Sequence, residues 1–241
     1  MKKRIVSLML AVLMVLSLTA CGAKPGPTEP AVTTAQTTAV PTEEPTTAPT
    51  EPENVLALGV VDGNTYLNTY AGIGCTLDDN WVLHPAEDLQ ELPEMTKEMV
   101  KGTELENILA GVTQFTDMYA ENVELLATVN VLFQKLELNQ RLAYALMDEK
   151  EVLEATLEQK DLMIQAYAQA GINTESMEII TVTFLGEEHY ALKTVAENQG
   201  VPYYCLQVFN FWLGQYSTTI TFASFVEDNT ENLLELFYAA E

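Results

Sequence analysis

Basic residues are scarce in this sequence of 241 residues. Lysine and arginine together number 11, against 35 aspartates and glutamates, so the formal net charge is −24. Nucleic-acid binding needs a basic surface, and anionic lipid surfaces also attract basic segments. The composition therefore argues against nucleic acid as a partner and against direct docking on anionic lipid, and it is typical of a domain kept soluble by its charge.

Histidine and cysteine are also rare, and the common catalytic motifs are missing. The two histidines are His84 and His189, and the sequence contains no H-E-x-x-H, G-x-S-x-G, C-x-x-C or glycine-rich phosphate loop. Two pairs of adjacent acids, Asp78-Asp79 and Glu187-Glu188, lack the spacing of a calcium loop and are interpreted as solvated turn charges. We predict no catalytic residue, no metal ligand and no cofactor.

The N-terminus has the parts of an export signal. Basic residues 2–4 precede an apolar run, Ile5 to Leu16, that is too short to span a bilayer. The string Leu18-Thr19-Ala20-Cys21 then resembles the bacterial lipoprotein signal, in which the cysteine receives the lipid. We predict a signal peptide over residues 1–20, lipid attachment at Cys21, and a location on the extracytoplasmic face of the bacterial cell membrane. The alternative is an ordinary signal peptide beside an incidental cysteine.

Large apolar residues are nearly missing from the segment that follows. Residues 21–54 are rich in threonine, proline, alanine and glutamate. Such a segment cannot bury enough surface to offset the entropy of ordering, and its prolines favour extended chain. We predict a disordered tether with a reach of roughly 100 Å.

Residues 55–241 are long enough for one domain with a sizeable core. Its cysteines, Cys75 and Cys205, lie in apolar runs that are typical of strands. We interpret both as buried free thiols, although an extracytoplasmic location would also permit one disulfide between them.

Hydrophobic periodicity and turn residues predict the elements of this domain. The strand at 125–133 is expected to bury one face, and the helix at 149–170 to be the longest. The predicted elements are a hairpin of 65–70 with 73–77, a strand at 81–83, short helices at 85–92 and 103–109, the strand at 125–133, the helix at 149–170, a four-strand meander (177–185, 189–196, 202–212, 215–225) and a terminal helix through Ala240.

This order predicts an α+β domain in which an antiparallel sheet is flanked by helices. The string from Tyr66 to Leu77 followed by Trp81, then residues 117–122 and the strand at 129–131, resembles a family of lipid-anchored proteins of Firmicutes. That resemblance implies the α/β/α sandwich of PsbP-like and Mog1-like proteins, and it implies a fold without implying a chemistry.

Aromatic residues are concentrated in the last third of the chain. Trp212 and Tyr216 flank the turn at Gly214, and with Tyr204 they form the candidate ligand face, which would stack on a sugar ring or grip a peptide. Core packing is the alternative. We predict a membrane-anchored, non-catalytic domain that binds a protein or small molecule or assists envelope assembly. The alternatives are a secreted hydrolase with an unrecognised carboxylate site and a purely structural spacer.

Overall fold

Eleven strands and four short helices follow one another in the computed structural model, which describes residues 57–89 and 114–240. The strands are β1 (Val60–Asp62), β2 (Thr65–Asn68), β3 (Ile73–Thr76), β4 (Trp81–Pro85), β5 (Gln114–Asn122), β6 (Ala127–Lys135), β7 (Ile172–Phe184), β8 (Glu187–Asn198), β9 (Val201–Leu213), β10 (Tyr216–Phe225) and β11 (Phe237–Ala239). The helices are α1 (Leu138–Tyr144), α2 (Glu149–Leu157), α3 (Lys160–Gln169) and α4 (Thr230–Leu233), with 3-10 turns at Ala86–Leu89 and Leu234–Leu236.

Two antiparallel sheets lie face to face. The larger has the order β4-β5-β6-β10-β9-β8-β7, and the smaller has the order β1-β2-β3-β11. Apolar residues of the small sheet, such as Tyr66 and Cys75, share one core with Val129, Val131 and Phe222 of the large sheet. Helices α2 and α3 contribute to a second core on the other face of the large sheet. The α+β class is confirmed, and in the described residues the layer opposite α2 and α3 is a sheet.

The meander was predicted correctly, because its turns are short. Strands β7 to β10 pair in sequence order, each antiparallel to the next. The β2–β3 hairpin and the strand at Trp81 are likewise confirmed. The predicted signal peptide, tether and helix at 103–109 lie outside the described residues, and of the helix predicted at 85–92 only the 3-10 turn at Ala86–Leu89 is described.

The prediction of a single buried face for the strand at 125–133 was wrong. Thr128 and Asn130, on the face expected to be polar and open, are buried like their apolar neighbours. The reason is that β6 is an interior strand of the large sheet, covered on both faces. Leu125, which the alternating pattern assigned to the buried face of this strand, lies in the turn before β6 and is 49% exposed.

The predicted helix at 149–170 is two helices that meet at Glu158 and Gln159. A single helix would have placed Leu153 and Ala168 in one apolar stripe, but the break shifts the helical phase, and Ala168 is exposed. In α3 and its end, Met163, Ala166 and Ala170 lie on the buried side, with the i, i+3, i+7 spacing of a separate amphipathic face. The break lets each helix turn its own apolar side towards the sheet, and Gly171, at φ +81°, ends α3 as predicted.

The predicted terminal helix through Ala240 was also wrong. Helix α4 ends at Leu233, and a 3-10 turn follows it. The chain then forms β11, which pairs with β3. The side chain of Phe237 is buried between the sheets, with its ring 5.5 Å from Phe222 and 6.0 Å from Phe184. A long-range pairing that buries an aromatic ring therefore overrides the local helical pattern.

A buried carboxylate joins the two sheets. Asp117 is 0% exposed and is the extra residue of a β-bulge in β5, where the pairing with β6 shifts between Thr116 and Met118. One carboxylate oxygen, Oδ2, accepts hydrogen bonds from both the Tyr66 hydroxyl at 2.6 Å and the Asn68 amide at 2.7 Å. These donors belong to β2, so a charge on the large sheet is satisfied by the small one.

The chain before β1 completes this network. The N–H of Gly59 lies 3.1 and 2.9 Å from the two carboxylate oxygens of Asp117. A Cβ at position 59 would lie 2.2 Å from Cε2 of Tyr66, so only glycine fits. Burial, and then the neighbouring Asp117 charge, raises the pKa of Tyr66 well above its usual value, which keeps its hydroxyl protonated as a donor.

We expect Asp117→Asn to lower the free energy of unfolding by about 2–4 kcal/mol, because the new amide would present a donor to groups that are themselves donors. Urea denaturation measures the change. Asp79→Asn is the matched control, since Asp79 accepts a single exposed bond from Asn64, and its effect should stay within about 0.5 kcal/mol. Equal small effects of the two substitutions would contradict a structural role for Asp117.

A strained residue follows β10. Val226 has φ +73° and is 52% exposed. Left-handed backbone is unfavourable for a β-branched residue, whereas asparagine tolerates it. We expect Val226→Asn to raise the free energy of unfolding by about 1 kcal/mol in the same urea experiment. Val123, which is 58% exposed and is not among the residues with positive φ, is the control. A gain of the same size for Val123→Asn would show that relief of strain is not the cause.

Candidate functional site

The residues of the predicted ligand face do not come together. Tyr204 pairs with Ser224 at one end of β9 and β10, whereas Tyr216 begins β10 at the other end. The step of eight positions from Tyr216 to Ser224 corresponds to about 26 Å along the strand. The side chain of Trp212 lies outside the described part of the structure. Tyr204 and Tyr216 therefore cannot hold one small ligand between them.

Tyr216 instead packs among other aromatic rings. Its ring is 6.3 Å from that of Tyr70 and 6.4 Å from that of Phe115, both in edge-on geometry. The Tyr70 hydroxyl also donates a hydrogen bond of 2.5 Å to the carbonyl of Leu213. This cluster ties the β2–β3 turn to the β9–β10 turn, which is the packing alternative to a ligand face.

The two histidines lie in different surroundings. His84 is on β4, with Nε2 3.9 Å from a Glu121 oxygen and its ring 5.7 Å from that of Tyr119. His189 is on β8, with Nδ1 3.2 Å from an oxygen of Glu149. Only His189 borders the cavity described next.

A cavity of about 190 Å³ lies between the β2–β3 turn, the β7–β8 turn and the start of α2. Its lining is mainly apolar and comes from both sheets. The lining residues are Ala71, Ile73, Glu149, Phe184, Leu185, His189, Val208, Phe209, Thr218 and Ile220. An engineered apolar cavity of about 150 Å³ binds benzene, so this volume suits a ligand of one ring or a short aliphatic chain.

Glu149 is the fixed charge at the edge of the cavity. It is the first residue of α2, where the helix dipole favours a carboxylate, and the preceding Asp148 caps the helix through a bond of 2.8 Å from the Glu151 N–H. The other Glu149 oxygen accepts a bond of 3.0 Å from the Tyr190 N–H. The carboxylate is thus held by β8 on both oxygens, through His189 and Tyr190.

Thr218 is the polar residue of the lining that has no partner. It is 1% exposed, and its hydroxyl oxygen makes no hydrogen bond. A buried hydroxyl without a partner costs free energy of about 1–3 kcal/mol, which a ligand with one hydrogen-bonding group would recover. The arrangement favours binding of a small, mostly apolar molecule with one such group.

The lining offers little for catalysis. It contains one carboxylate and one imidazole, bonded to each other, and neither serine nor cysteine. Cys75 and Cys205 are free and buried, as predicted, and burial raises the pKa of each thiol to about 12. They lie in the two cores on opposite faces of the large sheet, so no disulfide joins them.

Two further observations concern the described residues alone. Within residues 57–89 and 114–240, no group of three or more histidine, cysteine, aspartate or glutamate side chains is arranged to hold a metal ion. None of the helices in that same part of the chain has the length and hydropathy needed to span a bilayer.

Sequence patterns do not reveal the cavity, because its walls come from segments far apart in the chain. No catalytic or ligating role was predicted for His189, and Glu149 was predicted only to begin a helix. The sequence does place an acid, Glu149, directly after the capping residue Asp148. That position does not reveal that β8 lies opposite the start of α2.

Comparison with known proteins gives little for function. No family model matches the sequence, and no curated protein matches it. The chain is similar to the solution structure of cyanobacterial PsbP (CyanoP) from Synechocystis sp. PCC 6803, at 12% sequence identity and a TM-score of 0.41. The match covers 79% of this chain and 97% of the other. The fold class rests on the strand pairings within the two sheets.

We expect benzyl alcohol to enter the cavity and Thr218→Val to weaken its binding about fivefold, the effect of one lost hydrogen bond. Toluene, which lacks the hydroxyl, should bind the protein and the variant equally. NMR titration measures both affinities. Thr219→Val is the matched control, because the next residue of a strand points to the opposite face. If benzyl alcohol does not bind the protein, or if it binds Thr218→Val and Thr219→Val equally, Thr218 is not the hydrogen-bonding group of the cavity.

Proposed function

We propose that this protein is a membrane-anchored extracytoplasmic lipoprotein whose α+β domain is a non-catalytic binding or envelope-assembly accessory module. The observation that carries the binding part is the apolar cavity, in which the Thr218 hydroxyl has no partner and the Glu149 carboxylate is held at the edge. Binding sites combine apolar walls with few, well-placed polar groups, and this cavity has that composition.

The anchoring part is supported by the sequence. The string Leu18-Thr19-Ala20-Cys21 places a cysteine directly after a small residue and an apolar run. Two acyl chains on one glycerol would hold the chain firmly, since each buried CH₂ contributes about 0.8 kcal/mol. The tether over residues 21–54 would then separate the domain from the bilayer, and the acidic composition would keep it from lying on anionic lipid.

The family part of the proposal is the PsbP-like and Mog1-like sandwich in a Firmicutes lipoprotein. It is supported by the same residues that the structure brings together in the buried network, Tyr66, Asn68 and Asp117. The two sequence segments that carry the resemblance, Tyr66 to Leu77 and residues 117–122, thus supply the side chains that connect the two sheets.

The hydrolase alternative has less support. A glycosidase mechanism needs two carboxylates that converge on the scissile bond. The cavity lining holds one, Glu149, and both of its oxygens already accept hydrogen bonds. Asp117 is likewise committed to structural donors. The lining thus lacks the second carboxylate that a glycosidase pair would require.

We expect Cys21→Ala to release the protein from the membrane fraction or to leave its signal uncleaved, because the acceptor of the lipid is lost. Fractionation of cells followed by mass measurement of the chain shows both. Cys75→Ala is the control, since that thiol is buried in the core, and it should stay with the membrane. A Cys21→Ala chain that is cleaved and fractionates like the original would refute lipid anchoring and leave the cavity measurement unaffected.

A further inference from the structure

A second concave region lies between the open edges of the two sheets. This groove of about 760 Å³ is lined on one side by residues 181–183 of β7 and on the other by β11, with Glu231 and Glu235 beside them. β7 is the last strand of the large sheet and β11 the last strand of the small one. Both walls are therefore edge strands, whose outer backbone groups have no partner strand in the described chain.

The turn after β7 determines which groups face the groove. Leu185 and Gly186, at φ +52° and +86°, form a two-residue hairpin turn between Phe184 and Glu187. The pair that flanks such a turn is hydrogen-bonded, and bonded and non-bonded pairs alternate from there. Thr181 and Thr183 fall in non-bonded pairs, so their N–H and C=O groups point to the open edge.

β7 carries few of the features that protect an edge strand. Its 13 residues include no proline and no lysine. Its bulge lies near the start, between Thr174 and Ser176, and leaves the half next to the groove regular. Thr181 and Thr183 are exposed. An extended chain can therefore pair with this half of the strand.

The charges at the groove are negative. Glu231 and Glu235 are the acidic residues of the lining, which contains no lysine, arginine or histidine. The nearby Lys193 lies 3.2 Å from Glu231, and it is held more closely by Asp228, at 2.7 Å. These four groups sum to an acidic site, which complements basic side chains.

We propose that the groove binds an extended, basic peptide segment, which adds as a strand to β7 and places its basic side chains near Glu231 and Glu235. This site is separate from the apolar cavity, although Leu185 lines both. It takes a ligand of a different class, so it goes beyond the function proposed above.

Two other occupants fit less well. The chain's own tether, residues 21–54, is rich in proline, which lacks the N–H that strand pairing needs, and its charged residues are mostly glutamates. A second copy of β7 would bring Glu175 and Glu178 against an equally acidic strand. A basic peptide has neither defect.

The test uses a capped, fluorescein-labelled nine-residue peptide of alternating lysine and valine, with fluorescence anisotropy measured at 0.15 M salt on the purified full chain. Two matched peptides serve as controls. One carries glutamate in place of each lysine, and the other keeps the lysines but carries N-methyl groups on the residues that would pair with β7. We expect the basic peptide to bind, and both matched peptides to bind at least about tenfold more weakly, because one loses the charge complement and the other the backbone bonds.

Protein variants locate the site. Thr181→Pro removes an outward N–H at an edge position that tolerates proline, and it should weaken binding about tenfold, whereas Thr181→Val keeps the N–H and should bind as before. Glu235→Gln should weaken binding about threefold. Circular dichroism confirms that each variant is folded, and the N-methylated peptide tests the pairing on the unaltered protein.

Two results would overturn the proposal. Equal binding of the N-methylated and unmethylated basic peptides would show that charge alone attracts them. Sedimentation of the chain as a dimer that Thr181→Pro dissociates, without peptide binding, would show that the edge pairs with a second copy.

Discussion

The buried carboxylate of Asp117 is the contact on which the arrangement of the two sheets depends. A charge removed from water is tolerated only where donors surround it, and here the donors are supplied by Gly59, Tyr66 and Asn68. All three belong to the segment that forms the small sheet or leads into it. Because a bulge in β5 directs Asp117 towards that sheet, the large sheet specifies where the small one must lie. Apolar packing alone would allow the sheets to slide, and the network gives them one register.

Both concave regions are built around the β7–β8 turn. The groove is lined by that turn together with β11, the last strand of the small sheet. The cavity is lined by the same turn together with residues of the β2–β3 segment, and Leu185 lines both. The cavity has apolar walls and one unpartnered hydroxyl, whereas the groove has open backbone groups and carboxylates. These differences in lining suit two classes of ligand, a small apolar molecule and an extended basic peptide.

Sequence patterns predicted those parts of the fold that local contacts specify. The meander from β7 to β10 followed from short predicted connections, which are turns of two residues each in the structure, and such turns join antiparallel neighbours. Two of the incorrect predictions are ones in which a distant contact overrides the local pattern. Residues 237–239 form a strand because β3 offers an open edge, and Thr128 and Asn130 are buried because β6 has layers on both sides. The candidate site escaped prediction for the same reason, since Glu149 and His189 are 40 residues apart.

The sequence by itself determined the charge of the chain, the order of most strands and the expectation of a lipid at Cys21. Each depends on composition or on residues close together in the chain. The tertiary structure alone decided the pairing of Tyr66 with Asp117 across 51 residues, the conversion of the chain end into β11, and the meeting of α2 with β8 at the cavity. The physical reason is that a hydrogen-bonded, buried contact between distant segments gains free energy only once both are folded, and no local pattern records which segments will meet.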